Sequence, residues 1–411
     1  MNQMISDFLD RHGLNPLVID PPKVAERICK HMQSGISGKI IDIPMIPTYL
    51  TAEETVPENV NAIVIDAGGT NYRCGIAVFR GGKCTVSDIS VSRMPGTDAP
   101  ASWEEFISFV ADSIEPFLDR ADRIGFCFSF SAKITPEKDG LVNGFDKEVI
   151  ITGCEGKRIG ESLNAELNAR GYSSKKIVVI NDTVAALFGG SAELDKSAYS
   201  DLCGMICGTG FNICLSHEGM IYNCEAGFFN GVPQGDVDRE LDRGSQQPGE
   251  NLIEKMVSGG YIGQICRLAL EFAEKEGCIA TGFANRAESL ENFNGAVVSD
   301  LASGNDTFSL FTRPEDLEFA REVCLAIFRR SARCVASAVI AVMLLNGSGT
   351  SKDRPACVCA EGSLIAKSRF FREELFSALE EYAEREMKLY CGIVLGDGTT
   401  LPGAASAVLM N

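Results

Sequence analysis

The sequence predicts an α/β protein in which ligand-binding residues gather at the ends of strands. Short apolar, β-branched runs such as residues 63–65, 177–180 and 204–207 alternate with helical patterns, and each run ends in polar or glycine-rich residues. The chain has 411 residues, of which 45% are hydrophobic and 23% are charged, so it can form two domains with substantial cores. This composition argues against a disordered chain.

The elements are predicted in order along the chain. Residues 1–35 show helical spacing, and Pro21-Pro22 predicts the start of a second helix, whereas residues 44–51 are expected to be irregular. Further strands or hairpins are predicted at 63–91, 124–130, 177–180, 204–207, 356–360 and 392–395. Helices are predicted near 103–120, 184–188, 252–275, 314–345 and 370–389.

Bulk properties disfavour several classes of function. The formal net charge of -18 argues against a nucleic-acid or anionic-membrane surface, because both depend on clustered Lys and Arg. The 16 cysteines lie at low density and often in apolar runs, which is typical of reduced core residues. Cys-x-x-Cys, His-Glu-x-x-His and P-loop motifs do not occur, and neither a signal segment nor an apolar run approaching ~20 residues is present. We therefore expect a cytoplasmic protein that binds neither nucleic acid nor membrane.

The segment 63–74 carries the most specific chemistry. Its apolar strand runs into Asp66 and a glycine turn, and glycine frees the backbone to approach a ligand. Asp66 could hold hydrated Mg²⁺. Candidate donors to phosphate oxygens are the amides of Gly68 and Gly69 and the side chains of Thr70 and Arg73. Taken alone, the Gly-Gly pair is better explained as an ordinary turn.

The pattern Asp-x-Gly-Gly-Thr-Asn-x-Arg, which includes Asn71, resembles the first phosphate motif of the hexokinase family within the actin-like ATPase superfamily of sugar kinases. The resemblance continues in order from about residue 63 to the C-terminus. It implies an α/β, two-lobed actin-like ATPase (ribonuclease-H-like) fold with a sugar and ATP cleft between a small and a large domain. The implied boundaries are 1–60 for helices and a linker on the large domain, 61–183 plus the returning 397–411 for the small domain, and 184–396 for the large domain.

The resemblance also supplies catalytic candidates. Asn181 and Asp182 match the Asn-Asp-Thr of hexokinases, whose aspartate takes the proton from the sugar hydroxyl. An Asn-Asp pair after a strand is alternatively a helix cap. Ser129 and Phe130 match the family's Ser-Phe-Pro, and Lys147 occupies its lysine position, which implies sugar binding and stabilisation of phosphoryl charge. An arbitrary lysine would instead be a solvated surface residue.

Three positions in this region depart from the family pattern. Ser131 replaces the proline, Phe145 replaces a tryptophan, and Asp146 stands where a sugar-binding threonine is usual. An aspartate still accepts hydrogen bonds from hydroxyls but adds negative charge near the phosphates. The departures therefore bear on affinity and sugar choice more than on the general activity.

The second phosphate motif comprises Gly208, Thr209 and Gly210, which the resemblance assigns to ATP oxygens, with Asn212 reaching the sugar. It lies about 140 residues after the first, as expected for a duplicated phosphate-binding core. Segments 223–228 and 248–261 resemble family segments that contain Glu225 and Glu254, carboxylates suited to accept from sugar hydroxyls. Considered singly, either glutamate would be explained as a solvated surface residue.

Gly362 and Ser363 resemble the adenosine motif, in which Glu361 replaces the usual aspartate. Segment 397–405 resembles the family's closing segment, whose small residues let a final helix pack tightly, and no chemistry is assigned to it.

Together these matches imply an ATP:D-hexose 6-phosphotransferase of glycolysis. Asp182 would be the general base, Lys147 an electrostatic aid, and Mg²⁺ would be held by Asp66 through water, with domain closure expelling water from the cleft. The expected partners are a hexose, most favourably glucose, and Mg-ATP, and the chain is expected to be a monomer or homodimer. Alternatives are a kinase for mannose, fructose or an amino sugar, and a hexose sensor with little catalysis.

Overall fold

The computed structural model describes residues 3–51, 55–69, 71–145 and 149–411. Thr70, Asp146 and Lys147 lie outside the described residues. The helices are α1 (Gln3–Arg11), α2 (Pro21–Ile36), α3 (Trp103–Ile114), α4 (Ile159–Ala169), α5 (Asp182–Ser191), α6 (Asp236–Arg243), α7 (Leu252–Val257), α8 (Gly259–Lys275), α9 (Phe283–Glu288), α10 (Gly295–Ala302), α11 (Pro314–Asn346), α12 (Ser363–Lys367), α13 (Arg369–Ala378) and α14 (Thr400–Met410). The strands are β1 (Ile46–Pro47), β2 (Asn61–Ala67), β3 (Asn71–Arg80), β4 (Lys83–Arg93), β5 (Ala101–Ser102), β6 (Arg123–Phe128), β7 (Ala132–Ile134), β8 (Gly140–Val142), β9 (Ile151–Thr152), β10 (Lys176–Ile180), β11 (Asp201–Cys207), β12 (Phe211–His217), β13 (Met220–Asn223), β14 (Ala356–Glu361) and β15 (Cys391–Leu395).

Two mixed sheets organise the molecule. A five-stranded sheet has the order β10-β6-β2-β3-β4, and a six-stranded sheet has the order β1-β13-β12-β11-β14-β15. Each contains a three-stranded antiparallel meander, β2-β3-β4 or β11-β12-β13, extended by parallel strands on the side of its first strand. The same arrangement in both sheets is what a duplicated core predicts. We call the five-stranded sheet with the elements packed on it the small lobe, and the six-stranded sheet with its elements the large lobe.

Helices α5 and α14 form a central core that contacts both sheets, with buried residues from β2 and β3 of the small lobe and from β12 and β13 of the large lobe. Glycines allow this close packing: a Cβ on Gly403 of α14 would lie 2.1 Å from the Ala185 oxygen of α5. A Cβ on Gly125 of β6 would lie 2.0 Å from the Ala404 oxygen, so α14 is seated directly on the five-stranded sheet. The predicted tight packing of the closing segment is confirmed.

The remaining helices build a separate core for each lobe. Helices α1, α2, α8 and α11 share the large-lobe core, whereas α3 and α4 pack in the small-lobe core. Arg330 of α11 is fully buried, pairs with Asp238 through two hydrogen bonds of 2.7 Å, and donates to the Gly13 oxygen at 2.9 Å. The N-terminal helices are therefore fastened to the large lobe. Among the residues that the structure describes, no helix has the length and apolar character needed to cross a bilayer.

Several elements differ from the sequence predictions. The helix predicted over 252–275 is divided into α7 and α8 by Ser258, whose backbone is extended. The helix predicted over 370–389 is α-helical only through Ala378 and continues as a π-helix over Leu379–Met387. The prediction that Pro21-Pro22 begins a helix is confirmed, with Asp20 accepting from the Lys23 amide as its cap.

Candidate active site

Asp66 lies at the end of β2 with 4% of its surface exposed. Its Oδ2 accepts from Arg73 Nε at 3.0 Å and from the Thr400 hydroxyl at 3.1 Å, and Arg73 Nη2 also donates to it. The Arg73 Nη2 group donates in addition to Thr400 Oγ1 at 3.0 Å. Arg73, proposed from the sequence as a phosphate donor, therefore uses two of its nitrogens to orient Asp66 in this arrangement.

The other carboxylate oxygen of Asp66 fits a hydrated cation. Among the described residues, Oδ1 accepts no hydrogen bond, and Gly68 leaves space beside it because even an added Cβ would lie 3.9 Å away. The described residues contain no group of three or more His, Cys, Asp or Glu that could hold a metal. One carboxylate with water and nucleotide oxygens is an ordinary ligand set for Mg²⁺.

The turn after Asp66 is closed by the backbone. The Gly68 amide donates to the Asn71 oxygen at 3.1 Å, and the Ser129 amide donates to the Ala67 oxygen at 3.1 Å. These bonds bring the strand ends of β2 and β6 together, so the first phosphate motif and the Ser129–Phe130 pair are neighbours. Thr70 completes the motif in sequence but lies outside the described residues.

Asn181 is the N-cap of α5, and Asp182 is its first helical residue. The Asn181 Oδ1 atom accepts from the Thr183 amide at 2.9 Å and from the Thr183 hydroxyl at 2.5 Å. The helix-capping alternative therefore applies to Asn181, which is the N-cap residue, whereas Asp182 lies within the first turn of the helix. The strand-to-helix junction β10 to α5 presents that carboxylate at the carboxyl end of a parallel strand, where ligands commonly bind.

A buried amide network lies next to Asp182. Asn212 Nδ2 donates to Thr183 Oγ1 at 2.9 Å and to Asn223 Oδ1 at 2.8 Å, while its Oδ1 accepts from the amides of Ile213 and Ala226. Asn223 Nδ2 in turn donates to Glu225 Oε1 at 2.8 Å. An asparagine side chain has two donor hydrogens and an acceptor with two lone pairs, so these bonds use its full capacity. Contact between Asn212 and a sugar stays a prediction. It requires a sugar hydroxyl to replace one of the partners that the Asn212 side chain has in this arrangement.

Glu225 and Glu254 reach the same region from different segments. Glu225 has a left-handed backbone with φ 53° and precedes a short 3₁₀ turn over Ala226–Phe228. Glu254 Oε2 accepts from the Phe211 amide at 3.0 Å and would lie 3.2 Å from a Cβ added at Gly210 or Gly227. The two glycines thus provide the space that the carboxylate occupies.

The second phosphate motif and the adenosine motif touch each other. A Cβ on Gly362, whose φ is +125°, would lie 2.5 Å from the carbonyl atoms of Cys207 and 2.7 Å from the Gly208 nitrogen. The Gly208 and Thr209 oxygens accept from the amides of Gly259 and Gly260 at 2.6 and 3.1 Å. The backbone of this motif is consequently held by the first residues of α8, and the exposed Thr209 side chain lies at its turn.

Three carboxylates converge on the end of β6. Burial raises the pKa of the Cys127 thiol well above its ordinary value, and the negative charges of Asp66, Asp182 and Glu361 raise it further. The charges act on one sulfur atom although the three residues come from β2, α5 and β14. One residue from the first phosphate motif, the proposed base and one residue from the adenosine motif are therefore all near enough to raise the pKa of this thiol.

An aromatic cluster forms the neighbouring wall. Phe145 packs against Phe130 and Phe128 with ring centroids 4.7 and 5.4 Å apart. Ser131, at the family's proline position, accepts from the Asn143 amide at 3.0 Å and, through its hydroxyl, from Asn143 Nδ2 at 3.2 Å. Phe145 thus keeps the packing role of an aromatic residue. Asp146 and Lys147 follow directly and lie outside the described residues.

Sequence reasoning gave no role to Thr183, Asn223, Thr399 or Thr400, all of which contact candidate site residues. Thr399 donates to Glu361 from its amide at 3.2 Å and also from its hydroxyl. The signal for Asn223 was its position two residues before Glu225 in a family segment. No pattern in the sequence indicated that the two threonines of the closing segment meet two acidic residues from distant parts of the chain.

Comparison with known proteins identifies relatives across nearly the whole chain. Two family models, both described as hexokinase, match residues 19–192 and 202–410. Hexokinase-2 of Saccharomyces cerevisiae is 27% identical over 421 residues, covering 88% of this chain and 82% of the relative. The Hexokinase-like 1 protein of Arabidopsis thaliana is 28% identical and covers 94% of this chain and 88% of the relative. In structure, a Schistosoma mansoni hexokinase complexed with glucose aligns with a TM-score of 0.81 at 21% identity over 99% of both chains.

Proposed function

Because this chain belongs to the hexokinase family, whose members phosphorylate sugars with ATP, we propose that it transfers the γ-phosphoryl group of Mg-ATP to the 6-hydroxyl of a hexose, giving hexose 6-phosphate and ADP. The observation that carries the proposal is the position of Asp182. It begins α5 at the end of parallel strand β10, and its charge acts on the same Cys127 thiol as those of Asp66 and Glu361, while Asn181 supplies the helix cap. Because Asn181 caps the helix, we assign the Asp182 carboxylate the role of proton acceptor, as the family resemblance implies.

In the proposed reaction, Asp182 accepts the hydroxyl proton as the hydroxyl oxygen bonds to the γ-phosphorus. The bond from the γ-phosphorus to the bridging oxygen breaks, and ADP leaves with the electron pair. The protein contributes mainly position and charge stabilisation in such a transfer. Lys147 is proposed to stabilise the charge on the transferring group, as the family resemblance implies.

The sugar site is proposed to use acceptors that the fold holds in place. Glu225 and Glu254 would accept from hydroxyl groups, and Asn181 would donate through Nδ2, because its Oδ1 is occupied by Thr183. The Asn212 side chain binds Thr183, which directly follows Asp182, and Asn223, which donates to Glu225. The network thereby helps to position both Asp182 and Glu225. Ser129 and Phe130 complete the proposed site on the small-lobe side.

The nucleotide is proposed to lie between the two glycine motifs. Candidate contacts are Gly68, Gly69, Thr70, Asn71, Arg73, Gly208, Thr209, Gly210, Gly362 and Ser363. Mg²⁺ would associate with Asp66 Oδ1 through water and neutralise phosphate charge. The contact of Gly362 with Cys207 and Gly208 supports a single continuous nucleotide surface.

Glucose is the first sugar to test, because the aligned Schistosoma structure is described as a complex with glucose. Asp146 replaces the family threonine, which keeps mannose, fructose and amino sugars as alternative substrates. A hexose sensor with little catalysis is the alternative of another class, and the Arabidopsis relative is named only as hexokinase-like. We propose a cytoplasmic location, a monomeric or dimeric state, and lobe boundaries at residues 61, 184 and 397.

A coupled ADP-release assay with Mg-ATP and glucose, mannose, fructose, galactose or N-acetylglucosamine tests the function. Sugar-dependent turnover that is lost in Asp182→Ala and retained in the exposed control Asp119→Asn would support the kinase and identify its sugar. Folded protein with no turnover on any sugar would overturn it. A sugar-dependent rise in thermal stability without product would then favour a sensor.

A further inference from the structure

The first turn of α14 contacts an acidic residue from each lobe. The amide of Thr399 donates to Glu361 Oε2 at 3.2 Å, and its hydroxyl donates to the same oxygen. The hydroxyl of the next residue, Thr400, donates to Asp66 Oδ2 at 3.1 Å. Glu361 ends β14 of the large-lobe sheet, and Asp66 lies near the end of β2 of the small-lobe sheet. Two consecutive residues therefore join the adenosine motif to the first phosphate motif.

Thr399 does not use its hydroxyl as an ordinary helix cap. It stands at the N-cap position of α14, but its φ and ψ are -74° and -11°, and its side chain accepts no hydrogen bond from the first helical turn. A capping threonine normally has an extended backbone and accepts from an amide two or three residues later. The hydroxyl is committed to Glu361 instead, and a hydrogen bond to a carboxylate is stronger than one between neutral groups.

The length of the Glu361 side chain makes the contact possible. The position resembles one that is normally aspartate, and an aspartate carboxylate would be set back by one methylene group. The Thr399 backbone is itself fixed, because a Cβ on Gly189 of α5 would lie 2.2 Å from the Thr399 oxygen. The Glu361 carboxylate thus contacts Thr399, whose backbone already packs against α5, the helix that begins with Asp182.

We propose that Thr399 and Glu361 are a positioning pair that sets the adenosine motif relative to the phosphate motif in the bound nucleotide site. The proposal rests on the proposed kinase function, since it concerns where ATP lies. Gly362 and Ser363 directly follow Glu361, and Thr400 directly follows Thr399. A loss of the pair lets β14 and the first turn of α14 shift relative to each other, which moves the two ends of the nucleotide site apart.

The test compares Thr399→Val, which removes the hydroxyl, with Thr399→Ser, which keeps it. We expect Thr399→Val to raise the KM for Mg-ATP and the Kd for a Mg-bound non-hydrolysable ATP analogue about 10-fold, as for the loss of one hydrogen bond to a charged group. The KM for the sugar stays within about 2-fold, because the sugar site is on other residues. Thr399→Ser restores nucleotide binding to within about 2-fold of the parent protein.

A double-mutant cycle with Glu361→Asp separates a direct interaction from independent effects. The double variant is expected to lose no more nucleotide affinity than the single variant that shows the larger loss. Unchanged affinity in Thr399→Val, equal losses in Thr399→Ser and Thr399→Val, or additive losses in the cycle would overturn the positioning pair. If the parent protein phosphorylates no sugar, the proposed function fails. Calorimetric binding of the ATP analogue to the parent and the variants still tests the positioning pair in that case.

Discussion

Asn212 donates a 2.9 Å hydrogen bond to the hydroxyl of Thr183, which joins the large-lobe sheet to the residue that follows Asp182. The same hydroxyl donates to Asn181 Oδ1. Thr183 is fully buried, so its hydroxyl cannot exchange these contacts for bulk water. The position of the proposed base therefore depends on Thr183, a residue that does not contact the substrate in the proposed mechanism.

Replacing Thr183 with valine tests this dependence. The valine keeps the shape but removes the hydroxyl, which leaves the Asn212 amide without one buried acceptor. We expect the free energy of unfolding to fall by about 1–3 kcal/mol and kcat to fall about 10-fold through misplacement of Asp182. Urea unfolding and steady-state kinetics measure the two effects. Thr183→Ser is the matched control and should restore most of both, whereas a fully active Thr183→Val would show that the network does not position the base.

A substitution at Glu254 distinguishes a residue that binds the sugar from a solvated surface glutamate. Its Oε2 atom is engaged by the Phe211 amide, and Gly210 and Gly227 leave room for the carboxylate. We expect Glu254→Gln to raise the KM for the sugar about 10-fold or more, with little change in the KM for ATP. Glu250→Gln, an exposed position in the same segment, is the control. Equal kinetics in the two variants would remove Glu254 from the proposed site.

Gly362 tests the contact between the adenosine and second phosphate motifs. Alanine at this position would place its Cβ 2.5 Å from the Cys207 carbonyl atoms at a φ of +125°, which L side chains rarely adopt. We expect Gly362→Ala to lower the free energy of unfolding by about 1–3 kcal/mol and to weaken binding of the ATP analogue. Gly392→Ala, in β15 with nothing within 4 Å of its added Cβ, is the matched control. Normal nucleotide binding in a folded Gly362→Ala protein would contradict a shared nucleotide surface.

The sequence predicted those parts of the site that lie where a strand meets a glycine or a helix. Asp66 at the end of β2, Asp182 after β10 and the turn at Gly208 after β11 follow from local patterns and the family resemblance. The contacts of Thr399 and Thr400 could not be predicted in this way. They join residues separated by 38 positions for Glu361 and 334 positions for Asp66. The first contact depends on the pairing of β14 with β15, and the second depends on the return of α14 to the small-lobe sheet.

Local patterns also misled where tertiary packing decides the backbone. The continuous apolar period over 252–275 predicted one helix, yet Ser258 is extended. The interruption coincides with the hydrogen bonds by which Gly259 and Gly260 hold the oxygens of Gly208 and Thr209. Those bonds require free amides at a helix start, so the site dictates a break that helical periodicity does not reveal.

The buried cysteines give the protein a predictable alkaline sensitivity. Burial raises the pKa of Cys334 and that of Cys391 to about 12, from an ordinary value of 9.0. Above pH 9 the unfolded chain loses these thiol protons while the folded protein keeps them. The contribution of each thiol is therefore complete below pH 9 and is lost as the pH rises toward 12. The expected slope is at most about 1.4 kcal/mol per pH unit for each thiol.

Cys334→Ala measures this contribution in α11, where the thiol is fully buried. Urea unfolding of the parent and the variant, each at pH 8, 9 and 10 with a reductant, gives the free energy of unfolding at each pH. The cavity costs the variant a constant amount, whereas the missing thiol makes its decline between pH 9 and 10 shallower than that of the parent. Cys278→Ala is the control, because Cys278 is only partly buried and its pKa is raised less. Parallel pH profiles for the parent and Cys334→Ala would show that this thiol ionises equally well in the folded and unfolded protein. Burial argues against that result, because it raises the pKa of Cys334 although the Arg330 charge partly opposes the rise.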